Sequence, residues 1–344
     1  MRNSKLDILK GIGIISVVIG HAFNTDIFFS VISEDIKRFV YIYHLPVFFL
    51  CSGFLFNENK TFISLLKSIW KKYIKFIIIV LSSLLLLPLW YELVVINDVI
   101  SVKVLVTKIF RILLFRPSGI FVHAMYFIPF LCFTQFLYWI CIKFIGTSIR
   151  RQVFIIILAM IIGVFLTENK YMHYYNINIS VLMLPIMFLG KYMRNNCFVE
   201  IGNSTNVIWL VASFLLITIM NKYFSQEIDL SRNIIYGGYL FYPIVFIGLI
   251  FSISLSEVFM QANSKISIYV RDIVKLCGRY SLYIMAYHFI AFKLIDGIYG
   301  IINNTDVSVN AIWPIAHPEL RLIYVIVGCF FPILGIELFK RLAK

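Results

Sequence analysis

Residues 6–24, LDILKGIGIISVVIGHAFN, carry three ionisable side chains in an otherwise apolar run: Asp7, Lys10 and His21. Asp7 and Lys10 are three apart and share a helical face. From Lys10 to His21 the helix makes about three turns plus 20° and rises roughly 16 Å. One helix would thus hold a charged pair at one end of a stripe and an imidazole at the other. A charge inside a spanning helix costs roughly 2.5–3.5 kcal/mol on insertion scales, so such groups usually face a cavity and act there. An imidazole titrates near neutrality; it can take a proton from a hydroxyl or accept an acyl group itself. The competing explanation is structural, with Lys10 snorkelling to the headgroups and His21 bonding a loop at the helix end. Gly11, Gly13 and Gly20 lie near the stripe and let another helix or a ligand approach the backbone.

Two further segments bring polar groups to comparable depth. YIYHLPVFFLCSGFLF (41–56) sets His44 two residues before Pro46, whose ring frees backbone carbonyls that must be satisfied elsewhere. Ser52 and Gly53, near its other end, are placed to pack against the first helix. GRYSLYIMAYHFIAF (278–292) holds His288 near mid-membrane, with Arg279, Tyr280 and Ser281 at its entrance. Glu92, beside Tyr91 and after Pro88, is expected to meet headgroups, and His123, His173 and His317 fall at loops or span edges. The six cysteines, Cys51, Cys132, Cys141, Cys197, Cys277 and Cys329, form no CxxC pair, so neither a metal site nor a disulfide framework is expected.

The elements that must carry these residues follow from composition. The chain is 61% hydrophobic and 14% charged, where a soluble domain averages about 25% charged. Its mean hydropathy of +0.90, with 33 Phe and 20 Tyr, points to lipid-facing surface and interfacial aromatic belts. Apolar runs predict about ten spanning helices near 7–24, 39–56, 74–97, 122–143, 152–167, 177–192, 206–222, 235–255, 280–297 and 321–339. The expected fold is an all-α integral membrane protein, a single polytopic domain over 1–344. The first run is read as a retained helix, since Asp7 and Lys10 interrupt it and no small-x-small cleavage site follows.

With both termini cytoplasmic, 20 of the 31 Lys and Arg residues fall inside, which supports that orientation. The net charge of +14 is then a membrane signature meeting anionic headgroups, and no nucleic-acid partner is expected. SVKVLVTKIFRILLFR (101–116) is predicted to lie in the outer interface as an amphipathic helix, and residues 60–75 along the inner one.

These residues resemble the membrane-bound acyltransferase-3 family, and its fucose O-acetylase-like branch in particular. An acidic residue, a basic residue, then ten residues and a histidine characterise that family's first helix, as Asp7, Lys10 and His21 do here. HLPVFFLCSGFLF is similar to the family's second-helix pattern through His44, Pro46, Phe48, Phe49, Ser52 and Gly53. GRYSLYIMAYHF resembles a weaker C-terminal one through Gly278, Arg279, Ser281, Leu282 and His288. Two positions depart from it: Lys10 stands where many members have Arg, and HAMYFIPFL offers Tyr126 where Trp is common. Lysine still binds phosphate, but as a point charge rather than a bidentate fork.

The resemblance implies acyl transfer, usually of acetyl, from cytoplasmic acyl-CoA to a sugar hydroxyl on the outer side. His21 would be catalytic. Asp7, His44, Ser52 and His288 would support it, and Lys10, Arg279 and Ser281 would meet the donor. Acyl-CoA serves as substrate, and no permanently bound cofactor is expected. Richness in Ile, Asn and Lys resembles low-GC bacteria, which suggests a bacterial cell membrane and a surface polysaccharide or lipid-linked sugar as acceptor. The competing class is a transporter or flippase for lipid-linked glycans. It would call for coupling carboxylates at mid-membrane, and none is evident from the segment boundaries.

Overall fold

The computed structural model describes residues 3–23, 31–94, 124, 127–146, 148–169, 177–195, 203–223, 228–235, 237–261, 263–303 and 317–342, with the backbone alone for 31, 80, 83–94, 203, 204 and 318. Expectations at 101–116, Tyr126, His123, His173 and Cys197 lie outside the described residues, as do the side chains of Tyr91 and Glu92. The described elements are helices: α1 (Ser4–Ala22), α2 (Val31–Tyr41), α3 (Pro46–Leu55), α4 (Phe62–Val94), α5 (Phe127–Ile145), α6 (Ile149–Glu168), α7 (Ile177–Leu182), α8 (Leu184–Asn195), α9 (Asn203–Tyr223), α10 (Phe241–Gln261), α11 (Lys265–Arg279), α12 (Ser281–Asn303) and α13 (Arg321–Leu342). No strand occurs among the described residues, and eight helical segments are long and apolar enough to cross a membrane. Each expected span coincides with helix.

Two expected spans are broken in the middle, and proline causes both breaks. α2 stops at Tyr41 and α3 restarts with Pro46 at its first turn, where a missing N–H costs nothing. At the break the Val40 carbonyl accepts from the backbone N–H groups of Tyr43 (3.3 Å) and His44 (3.0 Å) and from the His44 ring Nδ1 (3.0 Å). α7 and α8 part at Met183, just before Pro185, and the carbonyl of Leu182 accepts from the Tyr242 hydroxyl at 3.0 Å. In hydrocarbon such carbonyls need partners, and here the chain supplies them.

Two segments differ from expectation. Residues 60–75 are not a separate interfacial element, because α4 runs 33 residues from Phe62 through the third span without a break. Residues 265–279, which fall outside the expected spans, form α11. Its Val274, Cys277 and Gly278 are buried, while Ile266 and Tyr269 are exposed beside Lys265 and Arg271, the pattern of a helix lying in an interface.

α1 is the centre of the bundle, packed against α2, α3, α10, α11, α12 and α13. Its start and the end of α13 lie at one end of the molecule, marked by the ion pairs Lys5–Glu257, Lys191–Glu58 (2.6 Å) and Arg279–Asp7 (3.5 Å). The hydrogen bond from the Tyr280 hydroxyl to Glu337 joins the same end. At the other end Asn221 donates to the Asp35 carbonyl at 3.4 Å and Arg321 meets Ser33.

Close approach of α1 and α11 depends on two glycines. A β-carbon at Gly11 would overlap the carbonyl of Val274, and one at Gly278 that of Asp7. Gly53 packs against the Met187 carbonyl on α8 rather than against the first helix, since the break at 42–45 turns that face of α3 away. Gly278→Val forces backbone apart at a packed crossing, at a cost of about 1–3 kcal/mol. Thermal unfolding of the detergent-solubilised protein is expected to shift down by several degrees, whereas the unobstructed Gly335→Val leaves it unchanged.

Candidate active site

The stripe on α1 faces α11 and α12 along its whole length. Asp7, 3% exposed, pairs with Arg279. Lys10 shares a cavity wall with Ser281 and Leu282, and His21 meets His288. The two imidazoles stack with centroids 5.1 Å apart and planes 9° from parallel, and Phe289 leans on both.

Hydrogen bonding assigns the neutral tautomers. His288 Nδ1 lies 2.8 Å from the carbonyl of Ile284, which can only accept, so Nδ1 carries the proton and Nε2 the lone pair. That lone pair is 3.0 Å from His21 Nδ1, which must therefore donate. His21 is left with its basic lone pair on Nε2, and His288 fixes both its tautomer and its ring plane. By the same logic the Nδ1–H of His44 is committed to the Val40 carbonyl, and its Nε2 is an acceptor.

Two hollows lie near the pair; His21 lines the smaller, and neither imidazole lines the larger. A cavity of about 400 Å³ lies toward the end where α1 begins, walled by Lys10, Lys60, Lys72 and Lys75 together with Ser52, Gln135 and Ser281. No carboxylate is among its lining residues, so four ammonium groups face one space. Lys72 donates to Gln135 at 2.5 Å and Lys60 to Ser68 at 3.0 Å. Lys10 and Lys75 have no hydrogen-bonding acceptor or carboxylate among the described residues, although Lys75 lies 4.9 Å from the Tyr283 ring centroid. Ser52 accepts from Gln135 Nε2, which ties α3 to α5. On the far side, a pocket of about 20 Å³ is lined by His21, His44, Tyr41 and the turn residues Asp229, Leu230 and Ser231. Met285 belongs to both walls, so the hollows adjoin one turn of α12 before His288.

Several residues were placed differently from the sequence expectation or were not singled out by it. Arg279 lies on Asp7 with its side chain 44% exposed and is not in the cavity wall, whereas Ser281 is. Lys60, Lys72 and Lys75 read only as interfacial charge in the sequence. Lys72 and Lys75 do share a face at i, i+3, which was the available signal. Asp229 and Ser231 carried none, since they sit in a short loop between apolar runs. His317 stacks on Tyr299 at 3.8 Å, away from the pair.

The sequence did not single out Asp296, which lies in the last third of α12, at the end of its expected span. Fully buried, it is paired with Lys293 at 3.0 Å and bonded by the Tyr324 hydroxyl. Its partner sits one turn earlier on the same helix, so the charge is neutralised in place.

Compared with known families, residues 3–338 match a model described as an acyltransferase domain, that of the acyltransferase-3 proteins. No curated protein and no solved structure matches the chain.

Proposed function

Since the chain belongs to the membrane-bound acyltransferase-3 family and is a multi-pass membrane acyltransferase, we propose that it moves an acetyl group from cytoplasmic acyl-CoA to a hydroxyl of an extracytoplasmic glycan. The observation that carries this reading is His21, held by His288, in the wall of a small pocket that adjoins a lysine-walled cavity at Met285. CoA is a multiply phosphorylated thiol on a long flexible arm. Lys10, Lys60, Lys72 and Lys75 would hold its phosphates at the cytoplasmic mouth, where their charge is strongest in a partly desolvated space. The arm would then carry the thioester past Ser52 and Ser281 toward Met285 and the imidazoles.

His21 Nε2 takes the proton of the acceptor hydroxyl as its oxygen attacks the thioester carbonyl. The resulting tetrahedral oxyanion collapses by breaking the C–S bond, and the proton on His21 passes to the departing CoA thiolate. His288, accepting from His21 Nδ1, stabilises the imidazolium formed on the way. Asp7 with Arg279 and His44 with Val40 hold the surrounding backbone. In a bacterial cell the acceptor would be a capsular or other surface polysaccharide, or its lipid-linked precursor.

The test is sidedness. Inside-out vesicles from producing cells, given acetyl-labelled acetyl-CoA on their exposed cytoplasmic face, should incorporate label into the glycan fraction, and sealed right-side-out vesicles should not. Label entering only in right-side-out vesicles would refute the orientation, and no protein-dependent label in either would refute the acetyl-transfer reading.

A further inference from the structure

The turn at Asp229–Ile234 is built more firmly than a connecting loop requires. It is closed by paired backbone bonds, Asp229 N to Ile234 O at 2.9 Å and Ile234 N to Asp229 O at 2.8 Å. Asp229 Oδ1 accepts from the Ser231 N–H at 2.8 Å, the Ser231 hydroxyl at 2.5 Å and the Arg232 N–H at 3.3 Å. Asn233 takes the left-handed conformation (φ 56°) and is anchored by Asn178 of α7 at 2.5 Å. All of this capping falls on Oδ1. Oδ2 has one contact, the Arg232 guanidinium at 3.5 Å, although Asp229 is only 6% exposed.

The pocket lining includes three hydrogen-bond acceptors, the lone pairs of His21 and His44 and a carboxylate, while the Ser231 hydroxyl is committed to Asp229. No cationic side chain lines it, and the Tyr41 ring offers an apolar face. Its volume of about 20 Å³ holds one hydroxyl-sized group, so of two neighbouring hydroxyls one seats in it and the other stays at its mouth. A hydroxyl has a single proton, so one that gives it to His21 cannot also satisfy Asp229.

Resting on the transferase reading above, we propose that this turn is the acceptor subsite, and that Asp229 accepts a hydrogen bond from a second hydroxyl next to the one acylated. The acceptor is then a neutral sugar unit with adjacent hydroxyls. Asp229 is the residue that decides which of them is modified, and a sugar carboxylate in the same place would meet repulsion.

The test uses the full-length protein in detergent, acetyl-CoA as donor, and oligosaccharides from the producing cell's surface polysaccharide stripped of O-acyl groups by mild base. Asp229→Asn keeps the Oδ1 cap but replaces the Oδ2 acceptor with a donor, so a purely structural role would survive it. The expected result is a rise of about tenfold or more in the oligosaccharide concentration for half-maximal rate, with the acetyl-CoA constant changing less than about twofold. Mass spectrometry of the product should also show acetyl spread over neighbouring positions. Unchanged acceptor kinetics in both Asp229→Asn and Asp229→Leu would overturn the subsite, as would donor and acceptor constants rising together. If the unsubstituted protein shows no oligosaccharide-dependent release of CoA, the transferase reading itself fails, and the subsite with it.

Discussion

His21→Ala is expected to abolish measurable acyl transfer while leaving the protein inserted and at normal abundance. His288 holds the His21 Nδ1–H, which leaves the lone pair on Nε2, and the His21 ring lines the small pocket, so in the proposed mechanism its loss removes the base. General-base help is worth about 10²–10⁴-fold in rate. CoA-thiol release by purified protein measures this directly, and activity within about tenfold of the unsubstituted protein would exclude His21 as the base. In the proposed mechanism His288 acts through His21 as a positioning residue, which gives a second reading in the same assay. His288→Leu leaves the His21 Nδ1–H buried without an acceptor, at a cost of about 1–3 kcal/mol, or roughly 5- to 150-fold. His288→Gln restores an amide oxygen at that site and should recover much of the loss. Equal losses in the Leu and Gln variants would mean that the ring stack, not the hydrogen bond, is what matters.

Lys10→Met is expected to raise the half-saturating concentration of acetyl-CoA by about tenfold or more, since a charge-assisted contact contributes about 1.5–3 kcal/mol. Lys10→Arg should keep most donor affinity, because charge at this position is what the phosphates would meet. The cavity extends the prediction, as Lys10 is one of four ammonium groups around about 400 Å³ with no carboxylate in the wall. Lys72→Met combined with Lys10→Met should therefore weaken the donor further, and raising ionic strength should weaken the unsubstituted protein in the same direction. An unchanged donor constant in correctly inserted Lys10→Met protein would return Lys10 to a snorkelling role. These measurements separate donor binding from the His21 result, which concerns rate.

The class of the protein and the residues of its central stripe were legible because both are local properties. Long apolar runs with few charges leave a spanning helix as the solution that satisfies every backbone group in lipid. The 100° periodicity then puts Asp7, Lys10 and His21 on one face of α1 before any partner is known. Pro46 beside His44 likewise signals a break, and there the His44 ring bonds the Val40 carbonyl.

What each polar group meets was decided by tertiary packing alone. His21 and His288 are 267 positions apart, and neither segment's pattern names the other. Their meeting follows from the crossing of α1 with α11 and α12, which the bare backbone at Gly11 and Gly278 permits. Lys60 and Lys72 looked like surface charge along an amphipathic stretch. They became cavity wall because α4 continues unbroken beside α5, bringing Lys72 to Gln135. Asp229 lies in a loop with no periodicity, and tertiary contacts such as the Asn178–Asn233 hydrogen bond hold it beside the histidines. Sequence patterns report the face and depth of a residue within its own helix; which faces meet is a matter of steric fit between surfaces distant in the chain.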